Sequence, residues 1–293
     1  MKLAIGSVQL GMRYGINNNK RINKVEFKKI EKLILLSKVS YIDTSINYGF
    51  SEKVIGNSKL NNLKIISKIK LPSDYKIRKD DIKKFVNKEI QSSLKRLKIN
   101  FLYGILVHDS RDLHGERGRI FLSCLKEFQK KKLLKKIGIS IYSPDELKKI
   151  WKFWKPEIVQ APFNVLDQRL ENSGWIDILK KHKIKIFARS CFLQGLLIEN
   201  QDSLNINNKH KLLLGKFNDW CNLKDITRLK ACLHFIKQFK KIDYLVVGFN
   251  NYVQLNEIFD TFEEKIKHII PKFNTNSLNL IDPRKWKKKI IKL

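Results

Sequence analysis

The chain has 293 residues, of which 43% are hydrophobic and 30% are charged, with only 13 Gly and 6 Pro. These values are typical of a folded globular protein and exclude collagen-like, low-complexity and largely disordered classes. The 60 Lys and Arg residues exceed the 28 Asp and Glu residues, and the resulting net charge of +32 by itself suggests a polyanion partner.

The distribution of the lysines favours a simpler explanation for this charge. Lysines occur along most predicted helices, and tight clusters are found only at Lys130 to Lys136 and Lys285 to Lys292. Specific readers of nucleic acid usually use Arg for paired contacts with base edges. We therefore expect solvated helix faces and no specific nucleic-acid partner. A nucleic-acid-binding protein is the alternative, and it predicts a steep salt dependence of retention on polyanions.

The cysteines and the apolar segments limit the cellular setting. Cys124, Cys191, Cys221 and Cys232 are far apart and show no CxxC or Cys/His ligand spacing, so neither a disulfide framework nor a metal site is predicted. The first residues lack the apolar core of a signal peptide, and no stretch approaches the ~18 apolar residues of a membrane helix. We expect a cytoplasmic protein with no membrane partner, either a monomer or a small oligomer.

Short apolar runs rich in Ile and Val alternate with longer helical patterns. Continuous apolar runs are typical of parallel strands that are covered on both faces. The predicted strands are Leu3 to Val8, Tyr41 to Ser45, Lys64 to Ile69, Leu102 to His108, Lys136 to Ser140, Ile158 to Phe163, Lys185 to Ser190 and Tyr244 to Phe249.

Helical patterns lie between these strands. Ser143 followed by Pro144 marks one helix start, and further helices are predicted over 24–37, 81–97, 117–133, 168–181, 225–240 and 252–269. Strands that are each followed by a helix predict an α/β protein, a (β/α)8 TIM barrel forming one domain over 1–293. A long irregular loop region is expected at about 191–223, after the seventh strand, and a basic tail at about 283–293.

Four polar residues lie at or near the ends of neighbouring strands, where a barrel builds its active site. The second strand leads to Asp43 and Tyr48, the third contains Lys68, and the fourth ends at His108. An ammonium group beside Tyr48 is expected to lower the pKa of its hydroxyl, which is normally about 10. Asp43 is the natural counter-ion for a buried Lys68, and His108 can donate a hydrogen bond to a carbonyl oxygen.

These residues lie within motifs of a known family. The run DTSINYGFSEKVIG resembles the D-T-A-x-x-Y-G-x-S-E-x-x-[IL]-G signature of aldo-keto reductases. IISKI, LVHDS and KIGIS resemble the motifs of that family's third, fourth and fifth strands, and the likeness extends from IGSVQLG to VVGFNNYVQLNE. The resemblance implies NAD(P)H-dependent reduction of an aldehyde or ketone, with Asp43, Tyr48, Lys68 and His108 as catalytic residues and Tyr48 as the acid.

The same resemblance implies a set of cofactor-binding residues. Two of them would face the nicotinamide carboxamide, the end of the seventh strand would surround the ring and the pyrophosphate, and the stretch from Gly248 would hold the adenosine half. The assigned residues are Ser140, Gln160, Arg189, Ser190, Gly195, Gly248, Asn250, Gln254 and Glu257.

The chain departs from the commonest family pattern in this cofactor region. Arg189 replaces an aromatic residue that stacks on the nicotinamide, Ile141 and Ile258 stand at common Asn positions, and 249–254 contain no Lys or Arg. A 2′-phosphate normally needs Arg or Lys. NADPH is therefore expected on family grounds, with NADH as the alternative.

The substrate expectation is a small-molecule carbonyl compound that is anionic or linked to a sugar. The stretches VQLGMRYGI and ARSCFLQGLL resemble bacterial family members encoded with surface-polysaccharide and nucleotide-sugar genes. Arg189 and the positive net charge would attract an anion toward the barrel mouth. The alternative function is a nucleotide-binding regulatory or redox-sensing barrel with little turnover.

Overall fold

The computed structural model describes residues 1–16, 22–72, 78–199 and 206–286. Parallel strands form a closed barrel in chain order from β1 to β8, so the predicted (β/α)8 fold is confirmed, with all of its strands. They are β1 Lys2–Gly6, β2 Tyr41–Asp43, β3 Lys64–Ile69, β4 Leu102–Val107, β5 Leu134–Ser140, β6 Ile158–Pro162, β7 Lys185–Arg189 and β8 Tyr244–Val247.

The helices lie outside this barrel and in its connecting loops. None of the helices in the described residues is long and apolar enough to cross a membrane. They are α1 Val8–Gly11, α2 Lys24–Leu36, α3 Ser51–Gly56, α4 Lys79–Leu97, α5 Gly115–Lys130, α6 Pro144–Ile150, α7 Arg169–Asn172, α8 Trp175–Lys181, α9 Asn208–Leu223, α10 Arg228–Lys237, α11 Tyr252–Glu263 and α12 Leu278–Ile281.

Several predicted helices are shorter than expected, including the one predicted over 225–240, and two others have a clear local cause. The helix predicted over 168–181 is divided into α7 and α8, because Gly174 between them has a φ of 73°, which a helix cannot contain. The helix predicted over 252–269 ends at Glu263, where the Lys237 ammonium donates to the Phe262 carbonyl. The start predicted at Ser143 is confirmed, with a reciprocal pair of hydrogen bonds between Ser143 and Glu146.

The segment after β7 is more regular than the sequence indicated. The expectation of an irregular loop over 191–223 is wrong from Asn208 onward, because α9 occupies that part. Asn207 caps this helix by accepting from the His210 amide, and His210, Leu214, Phe217 and Cys221 form its buried face. Of the basic tail predicted over 283–293, residues 287–293 lie outside the described residues.

The barrel interior is apolar at the bottom and polar at the top. Tyr41, Tyr103 and Tyr244 lie near the amino-terminal ends of their strands and Phe187 lies in the middle of β7, and their rings pack together with centroids 4.5 to 5.5 Å apart. Side chains two positions apart on a strand share a face. The inward residue that follows Tyr41 at the top of β2 is therefore Asp43, and each strand brings its last inward side chain to this end.

Candidate active site

A cleft opens at the carboxyl ends of the strands, and we call it the central cleft. Its empty space, including the part open to solvent, is about 1050 Å³. It is lined by all four predicted catalytic residues and by every predicted cofactor-binding residue except Glu257: Asp43, Tyr48, Lys68, His108, Ser140, Gln160, Arg189, Ser190, Gly195, Gly248, Asn250 and Gln254. The fold thus brings together in one place residues from the carboxyl ends of seven strands, β2 to β8.

An ion pair between Asp43 and Lys68 forms the floor of the central cleft. Lys68 Nζ lies 2.7 Å from Asp43 Oδ2 and 2.9 Å from the Thr44 carbonyl, and it is only 1% exposed. Burial lowers the pKa of Lys68, and the charge of Asp43 opposes that shift. The remaining oxygen of Asp43 accepts from Gln160 Nε2 at 2.7 Å, so both carboxylate oxygens are satisfied.

Tyr48 lies beside this pair on a loop that is held by neighbouring backbone and serine groups. Its hydroxyl oxygen is 3.4 Å from Lys68 Nζ. A Cβ atom on Gly11 would meet the Tyr48 carbonyl at 1.8 Å, so a residue with a side chain cannot replace this glycine. The Ser51 amide donates to the same carbonyl at 3.0 Å, and the Ser51 hydroxyl lies 2.7 Å from that of Ser7.

A buried carboxylate in α3 fixes the helix that follows the Tyr48 loop. Glu52 is 1% exposed and accepts from the hydroxyls of Ser67 and Ser93 and from the Arg96 guanidinium. Because Ser67 lies next to Lys68 on β3, this network ties the Tyr48 loop to the strand that carries the lysine. The Ser and Glu of the DTSINYGFSEKVIG run therefore support the loop and do not enter the cleft.

The pKa of Tyr48 is shifted in the direction opposite to the one expected from the sequence. Burial and the negative charge of Asp43 raise it well above its usual value, and Arg189 only partly opposes them. Lys68, which is paired with Asp43 at 2.7 Å, does not outweigh these two effects. Tyr48 therefore keeps its proton over the ordinary pH range.

His108 follows β4 at the edge of the central cleft. Its ring lies edge to face with that of Tyr48, with centroids 6.1 Å apart, and its Nδ1 is 3.5 Å from the Ser45 hydroxyl. Burial and the positive charges of Lys68 and Arg189 lower the pKa of His108 to about 3. The imidazole is consequently neutral near pH 7, with one nitrogen that donates and one that accepts.

Arg189 at the end of β7 is held in a fixed position at the opposite side of the cleft. It donates to the Ile141 carbonyl at 2.9 Å and to the Ser190 hydroxyl at 3.1 Å. Its guanidinium carbon is 4.2 Å from the centroid of the Tyr142 ring, and that of Arg284 is 3.5 Å from the same centroid. Both guanidinium groups therefore form cation–π contacts with the same ring.

The central cleft continues into a second depression, which we call the outer cleft. The two share five lining residues: Phe192, Ile198, Glu199, Gly248 and Gln254. Glu257, the predicted cofactor residue absent from the central cleft, lines the outer one. Arg228 also lies there and donates to the Glu199 carbonyl at 3.0 Å. Together the clefts form one path from Tyr48 to Glu257.

Several residues of the site were not predicted from the sequence. Gln9, Tyr14 and Tyr142 line the central cleft, Arg228 lines the outer cleft, and Arg284 reaches Tyr142 from the C-terminal segment. Gln9 lies in the IGSVQLG motif that follows β1, so the sequence could have indicated it. Arg284 is one of many basic residues, and nothing in the sequence distinguishes it. Within the described residues, no group of three or more His, Cys, Asp or Glu is arranged to hold a metal ion.

Comparison with known proteins identifies the family of this chain. The sequence profile of the Aldo/keto reductase family matches residues 2–269. The chain belongs to the aldo/keto reductase family. It is accordingly an oxidoreductase, as the sequence motifs predicted. A search of curated protein sequences finds no significant match.

Solved structures of reductases share this fold. An aldo-keto reductase from Bacillus halodurans in its holo form is 16% identical with a TM-score of 0.72, and the match covers 91% of this chain and 88% of that one. A glycerol dehydrogenase from Gluconobacter oxydans is 17% identical with a TM-score of 0.69, over 90% of this chain and 87% of that one. At such identities the likeness shows the fold alone.

Proposed function

We propose that this family member reduces an aldehyde or ketone to the alcohol, with a reduced nicotinamide dinucleotide as hydride source and Tyr48 as general acid. The observation that carries the proposal is the series of contacts from Asp43 through Lys68 to the Tyr48 hydroxyl, at the floor of an open cleft. A buried ion pair is costly to keep for packing alone. Its position beside a tyrosine hydroxyl suits proton transfer.

The residues of the cleft wall fit a bound dinucleotide. Gly248 allows the Gln9 amide to lie against the backbone, since a Cβ atom there would come within 2.9 Å of Gln9 Nε2. Gln9 Oε1 is buried and accepts no hydrogen bond from the described residues, so it can accept one from a ligand hydroxyl such as that of a ribose. The central cleft is continuous with the outer cleft, so a ligand bound beside Tyr48 can extend toward Glu257.

The floor residues Ser140 and Gln160 fit the nicotinamide end. Both are buried, and the Ser140 hydroxyl lies 3.5 Å from Gln160 Oε1, which leaves a hydroxyl and an amide oxygen for a carboxamide group. When bound there, a reduced nicotinamide supplies a hydride to the carbonyl carbon of the substrate. The bond between Gln160 and Asp43 connects this subsite to the ion pair.

Tyr48 provides the proton of the reaction. Negative charge develops on the carbonyl oxygen as its carbon gains the hydride, and Tyr48 transfers its hydroxyl proton to that oxygen. The tyrosinate that results lies 3.4 Å from Lys68 Nζ, whose positive charge stabilises it until solvent returns a proton. The high pKa of Tyr48 in the absence of substrate keeps the proton available at neutral pH.

His108 positions the carbonyl oxygen. In the tautomer that carries its hydrogen on Nε2, the imidazole can donate that hydrogen to the substrate oxygen. A neutral imidazole polarises the carbonyl through this hydrogen bond and does not compete with Tyr48 as the acid.

We propose further that the substrate is anionic or sugar-linked. Arg189 lines the central cleft and donates to a carbonyl and a hydroxyl, and it forms no ion pair with a carboxylate of the described residues. Its charge can serve the cofactor or an anionic group of the substrate. If Arg189 binds the cofactor, its substitution should weaken nucleotide binding. If it binds the substrate, its substitution should raise KM for anionic carbonyl compounds only.

The identity of the nicotinamide nucleotide is a finer part of this proposal. The family resemblance favours NADPH, with NADH as the alternative, and the two differ only in the 2′-phosphate of the adenosine ribose. Their discrimination therefore depends on the charges around the outer cleft. A cytoplasmic location and a monomer or small oligomer stay predictions from the sequence.

The test combines nucleotide titration with a panel of carbonyl compounds. We expect quenching of protein fluorescence by reduced nicotinamide nucleotides, and their oxidation with an equal yield of alcohol for at least one compound. Nucleotide binding without turnover on any compound would favour the regulatory or redox-sensing alternative. Failure to bind either nucleotide would overturn both functions.

A further inference from the structure

The charges of the outer cleft are unfavourable for a phosphate group. Among the described residues that line it, Glu199 and Glu257 carry negative charge and Arg228 is the one cation. Arg228 donates to the Glu199 carbonyl at 3.0 Å, which fixes it beside that acidic residue. Lys230, two positions further on, is paired with Glu264 at 2.5 Å.

Three amide donors at the start of α11, next to this cleft, are occupied. The Asn250 amide donates to Gln254 Oε1 at 2.8 Å, and the Gln254 amide donates to Asn251 Oδ1 at 2.8 Å. The Tyr252 amide, at the first helical position, donates to the carboxylate of Glu26 from α2. A helix N-terminus ordinarily attracts an anion through such amides. Here a carboxylate of the chain already takes that place.

The two candidate nucleotides respond differently to this arrangement. A 2′-phosphate carries close to two negative charges and would be repelled by Glu26 and by the acidic residues of the outer cleft. A ribose 2′-hydroxyl can donate to a carboxylate, which is how dinucleotide-binding sites that accept NAD commonly hold it. The large positive charge of the whole chain attracts both nucleotides and does not discriminate between them.

We propose that this chain binds NADH in preference to NADPH, because Glu26 closes the start of α11 to a 2′-phosphate. The inference rests on the reductase function proposed above and reverses the preference that the family resemblance implied. Glu26 acts here as a specificity-determining residue contributed by a helix outside both clefts. Gln254 lines both clefts and accepts from the Asn250 amide. Its side chain is uncharged, so it adds no cation beside the start of α11.

The experiment measures Kd for NADH and NADPH by quenching of protein fluorescence. A second arm uses competition by 5′-AMP and by 2′,5′-ADP, which differ only in the 2′-phosphate. We expect NADH to bind the unaltered chain roughly tenfold more tightly than NADPH, and 5′-AMP to compete at least as well as 2′,5′-ADP. Equal or tighter binding of NADPH would overturn the proposal.

Two substitutions test how the side chains beside the start of α11 affect nucleotide preference. Glu26→Gln removes the charge but keeps an acceptor for the Tyr252 amide, so NADPH affinity should rise roughly tenfold while NADH affinity changes little. Gln254→Arg should also improve NADPH binding by adding a cation. Glu31→Gln is the matched control, since Glu31 lies on the same helix and accepts from the Lys59 amide.

The outcomes separate this proposal from the function on which it rests. An equal NADPH gain in Glu31→Gln, or no gain in Glu26→Gln, would show that Glu26 does not set the preference. Binding of neither nucleotide to the unaltered chain would instead overturn the reductase function. Thermal melting of each variant identifies any loss of the fold.

Discussion

The inner and outer ends of the ligand path are built differently. At the inner end, Asp43 and Lys68 are 6% and 1% exposed, and each polar atom of the pair has a bonded partner. At the outer end, Glu257 is exposed, the described charges of the cleft are those of Glu199, Glu257 and Arg228, and Glu26 of α2 lies beside the start of α11. The four catalytic residues match the family motifs closely. The departures from the family pattern concern cofactor residues: Arg189 lines the central cleft, and Ile258 lines the outer cleft.

The difference follows from the cost of leaving a charge unpaired. Removing one partner of a buried ion pair costs about 3–5 kcal/mol because the other charge remains desolvated. Charges at a solvated surface interact by about 0–1 kcal/mol and are screened by salt. The inner residues therefore cannot be substituted one at a time without a large loss of stability. The residues that set nucleotide and substrate preference can be substituted singly at a small cost.

The largest expected effect is at Tyr48. Tyr48→Phe removes the acidic proton but keeps the ring, so kcat should fall by roughly 100- to 10,000-fold while nucleotide Kd is unchanged. Tyr14→Phe is the matched control, because Tyr14 lines the same cleft and its hydroxyl accepts only from Gln194 in the described contacts. A similar loss in both variants, or full activity in Tyr48→Phe, would rule out the assigned acid.

Lys68→Met tests whether the inner end behaves as a unit. The unpaired Asp43 should lower the free energy of unfolding by about 3–5 kcal/mol, and loss of the charge beside Tyr48 should suppress turnover. The double variant Asp43→Asn with Lys68→Met removes both charges and should recover much of the stability without recovering activity. Urea unfolding and single-turnover assays measure the two effects. Equal stability of Lys68→Met and the unaltered chain would contradict the buried pair.

Acid stability provides a third test of the inner end. The pKa of His108 is lowered to about 3 in the folded chain from an ordinary value of 6.5, so the unfolded chain binds the extra proton between these pH values. The stability linked to His108 is complete above about pH 6.5 and is lost as pH falls toward 3. His108→Gln should therefore flatten the decline of the urea midpoint between pH 7 and 4, whereas the exposed control His114→Gln should not.

The sequence predicted the features that depend on neighbouring residues in the chain, and it did not predict contacts between distant ones. Apolar runs predicted the strands, and the order of the strands placed Asp43, Tyr48, Lys68 and His108 at one mouth, because the carboxyl ends of parallel strands meet there. The hydrogen bond between Gln160 and Asp43 joins residues 117 positions apart, and neither residue type indicates which partner it will contact.

Two misjudgements have clear physical causes. The helix α9 was missed because its buried face alternates with lysines and asparagines that read as a polar loop. The sequence predicts a lower pKa for Tyr48 from the neighbouring Lys68, but burial and the charge of Asp43 outweigh that effect in the folded chain. Both depend on which side chains meet in the folded chain, and a linear pattern does not specify that.

Substitution of Arg189, which lines the central cleft, tests whether this residue selects anionic substrates. Arg189→Gln should reduce kcat/KM for an anionic carbonyl compound by roughly tenfold and have little effect on a neutral compound of similar size. Raising the ionic strength should weaken the preference of the unaltered chain for the anion. Equal values for charged and neutral compounds, independent of salt, would show that Arg189 does not select the substrate.

The smallest expected effect is at Arg284, which acts on Arg189 through the Tyr142 ring. Asp282 is 3% exposed and holds the Arg284 guanidinium at 2.7 Å, so the C-terminal segment presents a fixed cation to one face of the ring. A cation on an exposed aromatic face contributes about 0.5–1 kcal/mol, so Arg284→Gln should lower kcat/KM for the anionic compound by roughly two- to fivefold. Arg119→Gln, an exposed arginine on α5, controls for the loss of one charge. If the two variants lose the same amount, the effect comes from the overall field of the chain. If only Arg284→Gln loses activity, and loses none when Arg189 is already Gln, the stack on Tyr142 is what positions Arg189.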